Sequence, residues 1–256
     1  MSEHVKVTEH GGVLEICFTR ADKKNALTNA MYVAAREALE AAQTNPAVKV
    51  VVFTAEGDAF TAGNDIAEFT LVANGAPSEG RAHEFIHAIA RAEKPVVAAV
   101  TGLAVGVGTT MLLHCDLVFI AESATLATPF VNLGLAPEAA SSLLLPARIG
   151  YQRAFAMFAL GERVTGLQAV DLGLAYKALP AFEVHAAAME AANTLAAKAP
   201  GSLVSTKRLM RDVGTLLTRI DAEGDVFQRQ LCSPEAREAF KAFAERRAPD
   251  FSNLSN

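Results

Sequence analysis

Tryptophan is absent from these 256 residues, and tyrosine and cysteine occur three times each. Cys17, Cys115 and Cys232 are too few and too scattered for a disulfide framework or a cysteine-based zinc site. They read as small hydrophobes. Positive charge is also scarce: 23 Lys and Arg stand against 28 Asp and Glu, a net charge of −5 that argues against nucleic acid as the main partner. Local cation clusters still decide whether an anionic ligand binds. No apolar run reaches the length needed to cross a bilayer, so no membrane partner is expected. The start, MSEHVKVTEH, resembles neither a signal nor a transit peptide, and the final SNLSN carries no recognisable address. A cytoplasmic location is the expectation.

Apolar residues are plentiful: 51% of the chain is hydrophobic and 20% charged, enough to bury a sizeable core in one large domain, with or without an appendage. The organising stretch is 94–116, KPVVAAVTGLAVGVGTTMLLHCD. Pro95 and the run Val96, Val97, Val100 read as a buried strand. Gly102, Gly106 and Gly108 mark a turn too tight for ordinary side chains, and a helix starts near Gly108. Such a turn aims free backbone N–H groups at an anion, or at an oxygen that becomes one during a reaction. A second tight turn lies at Ala59-Phe60-Thr61-Ala62-Gly63-Asn64-Asp65. No GxxxxGK[ST] occurs, and the dinucleotide fingerprint fails at Met111, where its third glycine belongs.

Strands are expected at 5–8, 13–18, 48–53, 117–121 and 174–179, and helices at 31–42, from about Asp65, and at 81–92, 139–145, 151–160 and 167–171. From Ala181 onward only helices remain, near 181–198, 202–216, 218–231 and 234–246, the last capped by Ser233 with Pro234 in its first turn. The loose recurrence of strands before helices suggests a repeated ββα unit rather than one doubly wound sheet. Asn74 to Gly80 is a Gly/Pro/Ser loop, and 20–25 is a loop with three cations.

His83-Glu84-Phe85-Ile86-His87 satisfies H-E-x-x-H on a helix, which places two imidazoles on one face as for zinc, with Glu84 as base. Zinc needs a third ligand, and His4, His10, His114 and His185 offer none obvious. Neither extended form of the motif follows. The pattern therefore reads as a polar helix face beside a pocket, with no metal. Glu138 is the only acid between Ser123 and Arg148, among apolar and hydroxyl residues. Desolvation there would raise its pKa and strengthen it as a base toward carbon. A surface carboxylate complementing a helix N-terminus is the competing reading.

Four segments together resemble the crotonase (enoyl-CoA hydratase/isomerase) superfamily over essentially the whole chain. They are Lys23-Lys24-Asn25-Ala26-Leu27, the Phe60 to Asp65 turn, the 94–116 stretch, and Thr165-Gly166-x-x-Ala169-x-x-Leu172-Gly173-Leu174. The resemblance implies an α/β fold, a spiral of ββα repeats over 1–198 carrying the active site. It also implies a helical portion over 199–256 that packs subunits into trimers or dimers of trimers. Acyl-CoA thioesters are the implied ligands, coenzyme A being part of the substrate, with no further cofactor. The backbone N–H groups of Asn64 and Val107 match the family's pair that holds the thioester oxygen. Family hydratases carry two glutamates at positions matching Thr110 and Phe130, neither acidic here, so simple hydration is not expected. The run from Thr128 to Ser142 is similar instead to the Δ3,Δ2-enoyl-CoA isomerase branch, whose single catalytic glutamate falls on Glu138. Lys23, Lys24 and Arg246 are expected at the CoA phosphates. Phe69, Leu71, His87 and Phe130 are expected around the acyl chain, with Ala26, Ala62, Asp65, Gly106 and Leu135 also touching substrate. Other thioester-enolate chemistry, hydration by Glu138 alone, and acyl-CoA binding without turnover remain alternatives.

Overall fold

A computed structural model describes residues 2–252, so all of the predicted tail SNLSN beyond Ser252 lies outside the described residues. The strands are β1 (Val5–His10), β2 (Val13–Phe18), β3 (Val50–Ala55), β4 (Ala59–Thr61), β5 (Val96–Val100), β6 (Leu103–Val105), β7 (Leu117–Ala121), β8 (Thr125–Ala127), β9 (Val164–Thr165) and β10 (Lys177–Leu179). They form a six-stranded sheet ordered β1-β2-β3-β5-β7-β10 and a four-stranded sheet ordered β4-β6-β8-β9. The chain thus sends β3, β5 and β7 to the large sheet and β4, β6 and β8, next in sequence, to the small one. This is the expected spiral of repeats. β1 and β2 form an antiparallel hairpin, while β2, β3, β5, β7 and β10 run parallel. A parallel strand covered on both faces reads as a continuous apolar run. Accordingly β5 is buried along its whole length and β3 everywhere but its last residue.

The helices are α1 (Asn29–Thr44), α2 (Ile66–Ala73), α3 (Arg81–Arg91), α4 (Val107–Thr110), α5 (Ser141–Ile149), α6 (Tyr151–Phe155), α7 (Gly166–Asp171), α8 (Ala181–Ala196), α9 (Pro200–Met210), α10 (Val213–Leu231) and α11 (Pro234–Glu245). Phe18, Phe53, Phe60 and Phe85 are fully buried. Phe53 stacks on Phe18 at 6.2 Å between centroids and meets Phe85 edge-on at 6.0 Å. At about 1.5–3 kcal/mol for each such side chain, this cluster binds the sheet to α3. Among the described residues no helix is long and apolar enough to cross a membrane.

Three of the boundaries that differ from those read in the sequence have a visible local cause. The helix expected over 202–216 ends at Met210, because Asp212 accepts a hydrogen bond from the Thr215 N–H and caps a new helix, α10. The late strand shrinks to Lys177–Leu179, since the Leu174 and Ala175 amides turn back onto the Ala169 carbonyl at 2.8 and 3.0 Å. Helix α5 begins at Ser141, not Ala139, because Ala139 and Ala140 both take positive φ, 62° and 54°. That turn carries Glu138.

Candidate active site

β4, β6 and β8 are parallel neighbours, so their carboxyl ends deliver three loops to one edge of the small sheet. The first is the Ala62 to Asp65 turn. Its Gly63 has φ 92°, and a Cβ there would come within 2.8 Å of the Val105 carbonyl oxygen. The second is Gly106 at φ 55°, followed by α4; a Cβ on Gly108 would stand 2.6 Å from the Thr61 methyl. The two turns therefore pack back to back at a separation only glycine permits. Among the described residues neither the Asn64 nor the Val107 N–H has a hydrogen-bond acceptor. Gly63 N–H donates to Thr61 Oγ1 (3.0 Å), whose hydroxyl donates to the Asn25 carbonyl (2.7 Å). The Asn64 side chain accepts from the Tyr32 hydroxyl at 2.7 Å. Burial, then the Glu138 and Glu68 carboxylates, holds that phenol well above its ordinary pKa, so it remains a donor.

The third loop, leaving β8, leads to Glu138. Its residue is buried at 7% exposure, which removes the surface-carboxylate reading. Burial pushes the carboxyl up to about 8, with a further push from Glu223 and an opposing pull from the Thr110 hydroxyl, which donates to Oε1. Helix α5 begins three residues later, and Glu223 on α10 accepts from the Ser142 N–H at 2.9 Å. On the other side, burial lowers His114 to about 3. The neutral ring donates from Nε2 to the Ala139 carbonyl (2.8 Å) and accepts at Nδ1 from Arg211 (3.1 Å). Two left-handed alanines in succession are unfavourable. Glu223 and His114 hold them from opposite ends.

Asn64, Asp65, Tyr32, Phe69, Glu138 and Ala139 line one cavity of about 570 Å³, whose far wall is Ile220, Phe227 and Leu231 of α10 and its end. Core and C-terminal helices thus close the site jointly. Phe69 meets Phe227 and Phe240 at 5.8 and 6.2 Å. Asp65 caps α2 and pairs with Arg20 at 2.7 Å, fixing the turn. Ala62 N–H donates to the Lys24 carbonyl, and Leu27 bridges to Asn64, so the Lys23–Leu27 loop with Ala26 lies along the same turn.

Several expected residues stand elsewhere, and Val107, Ala26, Ala62 and Gly106 also fall outside the cavity lining, in or beside the two turns. Leu71 is 63% exposed and does not line the cavity, because Phe69, two positions earlier on α2, takes the inward face. Phe130 and Leu135 are buried outside the lining: Phe130 packs on Phe158 and beside Gly106, and Leu135 N–H donates to the Phe130 carbonyl. His87 also lies outside it, turned to Asp221. Lys24 is paired with Asp58 at 2.6 Å, Lys23 is exposed, and Arg246 is exposed just past α11 in a left-handed conformation. Tyr32, Glu223 and the supporting roles of Thr110 and His114 were not visible in the sequence, since no spacing links residues so far apart.

A family model described as Enoyl-CoA hydratase/isomerase matches residues 8–254. The chain is 36% identical over 215 residues to enoyl-CoA delta isomerase 2 of Rattus norvegicus, covering 82% of this chain and 55% of that one. It is 31% identical over 237 residues to a probable enoyl-CoA hydratase of Bacillus subtilis, covering 89% and 90%. The chain spans 55–68% of the length of the delta isomerases it matches. An enoyl-CoA hydratase/isomerase structure from Pseudoalteromonas atlantica superposes with a TM-score of 0.92 at 36% identity, over 98% of this chain and 100% of that one.

Proposed function

The chain belongs to the enoyl-CoA hydratase/isomerase family, and we propose that it shifts the double bond of 3-enoyl-CoA thioesters to the 2-trans position. One observation carries the reading: a buried carboxyl, Glu138, raised to about 8, in the same cavity as the Asn64 turn. A base near neutral pKa is better matched to a carbon acid than an ordinary carboxylate.

The thioester oxygen accepts from the N–H groups of Asn64 and Val107. The Glu138 carboxylate removes a proton from C2, and the electron pair of that C–H bond delocalises into a dienolate whose charge gathers on the oxygen. The protonated Glu138 returns the same proton at C4 as the double bond moves to C2–C3. One carboxyl suffices, no water enters, and the step consumes no metal or redox cofactor. Each backbone donor contributes about 3 kcal/mol to the transition state, as at other oxyanion sites. Thr110 keeps Glu138 oriented and limits how far burial raises it. Lys23 and Arg246, both exposed, are assigned to the CoA phosphates, as charges on loops. Leu209, Met210 and Phe182, exposed by 90%, 79% and 84%, support a subunit-packing surface, which a trimer or a dimer of trimers would cover.

Incubation with a panel of 3-enoyl-CoA thioesters tests the reaction. Conjugated thioester is expected to appear in the ultraviolet with no change in product mass. A product that has gained one water, or a 3-enoyl substrate left untouched while 2-enoyl thioesters are hydrated, would overturn the assignment.

A further inference from the structure

The H-E-x-x-H segment lies on α3, where its two imidazoles do share a face. His83 and His87 have ring centroids 4.5 Å apart. The missing third ligand comes from a carboxylate 134 residues after His87, Asp221 on α10, and not from another histidine. Its Oδ1 stands 3.2 Å from His83 Nε2 and 2.8 Å from His87 Nε2. The three ligand atoms lie within 4.8 Å of one another. Ligands at about 2.0–2.1 Å in a tetrahedron about zinc are about 3.3 Å apart, so an ion would open the Asp221 edges slightly and hold the His83–His87 edge, no longer than 4.8 Å, to that spacing. Both nearer edges of the required triangle are already at that scale.

The surroundings favour the same reading. A Cβ on Gly224 would fall 3.1 Å from the His83 ring, so the glycine leaves α10 room to approach the imidazole face of α3. Glu84 is withdrawn from the group: it pairs with Arg81 at 3.2 Å and Arg36 at 3.6 Å, and so is not the base of a zinc hydrolase. His83 and Asp221, with Asp225 one turn further along α10, line the cavity that also holds Glu138. His87 is the least exposed of the three ligands, with 15% of its side chain open to solvent, and Asp221 the most, with 61%.

We propose that His83, His87 and Asp221 form a binding site for a divalent first-row transition ion, two imidazole nitrogens and one carboxylate oxygen, at the rim of the cavity. Two imidazoles favour zinc, cobalt or nickel over magnesium or calcium. The ion ties α3 to α10 and keeps coordination positions free for water or another oxygen ligand. It stands apart from the proton transfer assigned to Glu138, and the site does not depend on that assignment.

Tag-free full-length protein, stripped with a chelator and dialysed, is titrated with zinc by calorimetry and with cobalt by visible absorption. One equivalent is expected, with nitrogen-ligated cobalt bands and a rise in melting temperature. His87→Ala and Asp221→Ala should each weaken zinc binding at least tenfold, with unchanged circular dichroism in the metal-free state. His185→Ala, which removes a histidine paired instead with Glu15, should leave binding as it was. Absence of saturable binding would overturn the proposal. So would binding that survives both alanine variants, since the ion would then sit elsewhere.

Discussion

The two halves of the site are built by opposite means. The half proposed to hold the thioester oxygen consists of backbone: two turns, each at the end of a short strand, pressed together because Gly63 and Gly108 lack side chains. The base half is one side chain, Glu138, on a turn of two left-handed alanines held by Glu223, His114 and Thr110. The first is fixed by the close approach of its two turns and by backbone bonds to the neighbouring Lys24–Leu27 segment, with Arg20 and Tyr32 in support. The second borrows its geometry from α4, the segment after it, and α10, so its chemistry is tunable from a distance. In the proposed reaction, backbone geometry sets where charge is received, and distant side chains set how strong the base is.

The largest effect expected is on the base. Glu138→Gln should lower kcat by about 10²–10⁴-fold while acyl-CoA binding, measured by calorimetry, is retained. The same variant has a stability signature. Because the folded pKa is raised to about 8 from an ordinary 4.5, the unfolded chain ionises first as pH rises. Stability therefore falls between these values and stays low above the upper one. Glu138→Gln should thus melt higher than the parent at about pH 9, with the difference vanishing near pH 4. Thermal melts across that range check the sign.

Next comes the oxyanion half. Gly63→Ala places a methyl against the Val105 carbonyl at a φ of 92°, and loss or misplacement of one donor should lower kcat by about 10²–10³-fold. Its pH profile should keep the parent's midpoint, whereas variants on the base side should move theirs. Thr110→Val removes the hydroxyl that favours ionised Glu138, so the midpoint should move up. Glu223→Gln removes a repelling carboxylate, so it should move down. Equal midpoints for both variants would erase the distinction between the halves. The smallest effect is expected at Leu71→Ser, exposed and outside the cavity lining, where kcat/KM for 3-enoyl-CoA should be unchanged.

The asymmetry also explains what could be read in advance. Gly63, Gly106 and Gly108 announce themselves within a few residues of sequence, and so does an isolated acid in an apolar stretch, Glu138. The spiral is equally legible, because β3 and β5 are continuous apolar runs broken by turn residues. The supports of Glu138 were hidden. Thr110 is 28 positions away and Glu223 lies on a helix whose start, at Asp212, depends on one capping hydrogen bond. The same long reach concealed Asp221 behind a histidine pattern, and misplaced Leu71, since α2 could not be oriented before its neighbours Phe227 and Phe240 were known.

The central claim is that a single buried carboxyl titrating near neutrality performs the proton transfer. The pH dependence of kcat/KM for conjugation of a 3-enoyl-CoA thioester tests it most directly. The rate should climb about tenfold per pH unit and level off with a midpoint near 8, with the climb absent in Glu138→Gln. A parent profile flat across that range, or a glutamine variant that follows the parent curve at comparable rate, would contradict it.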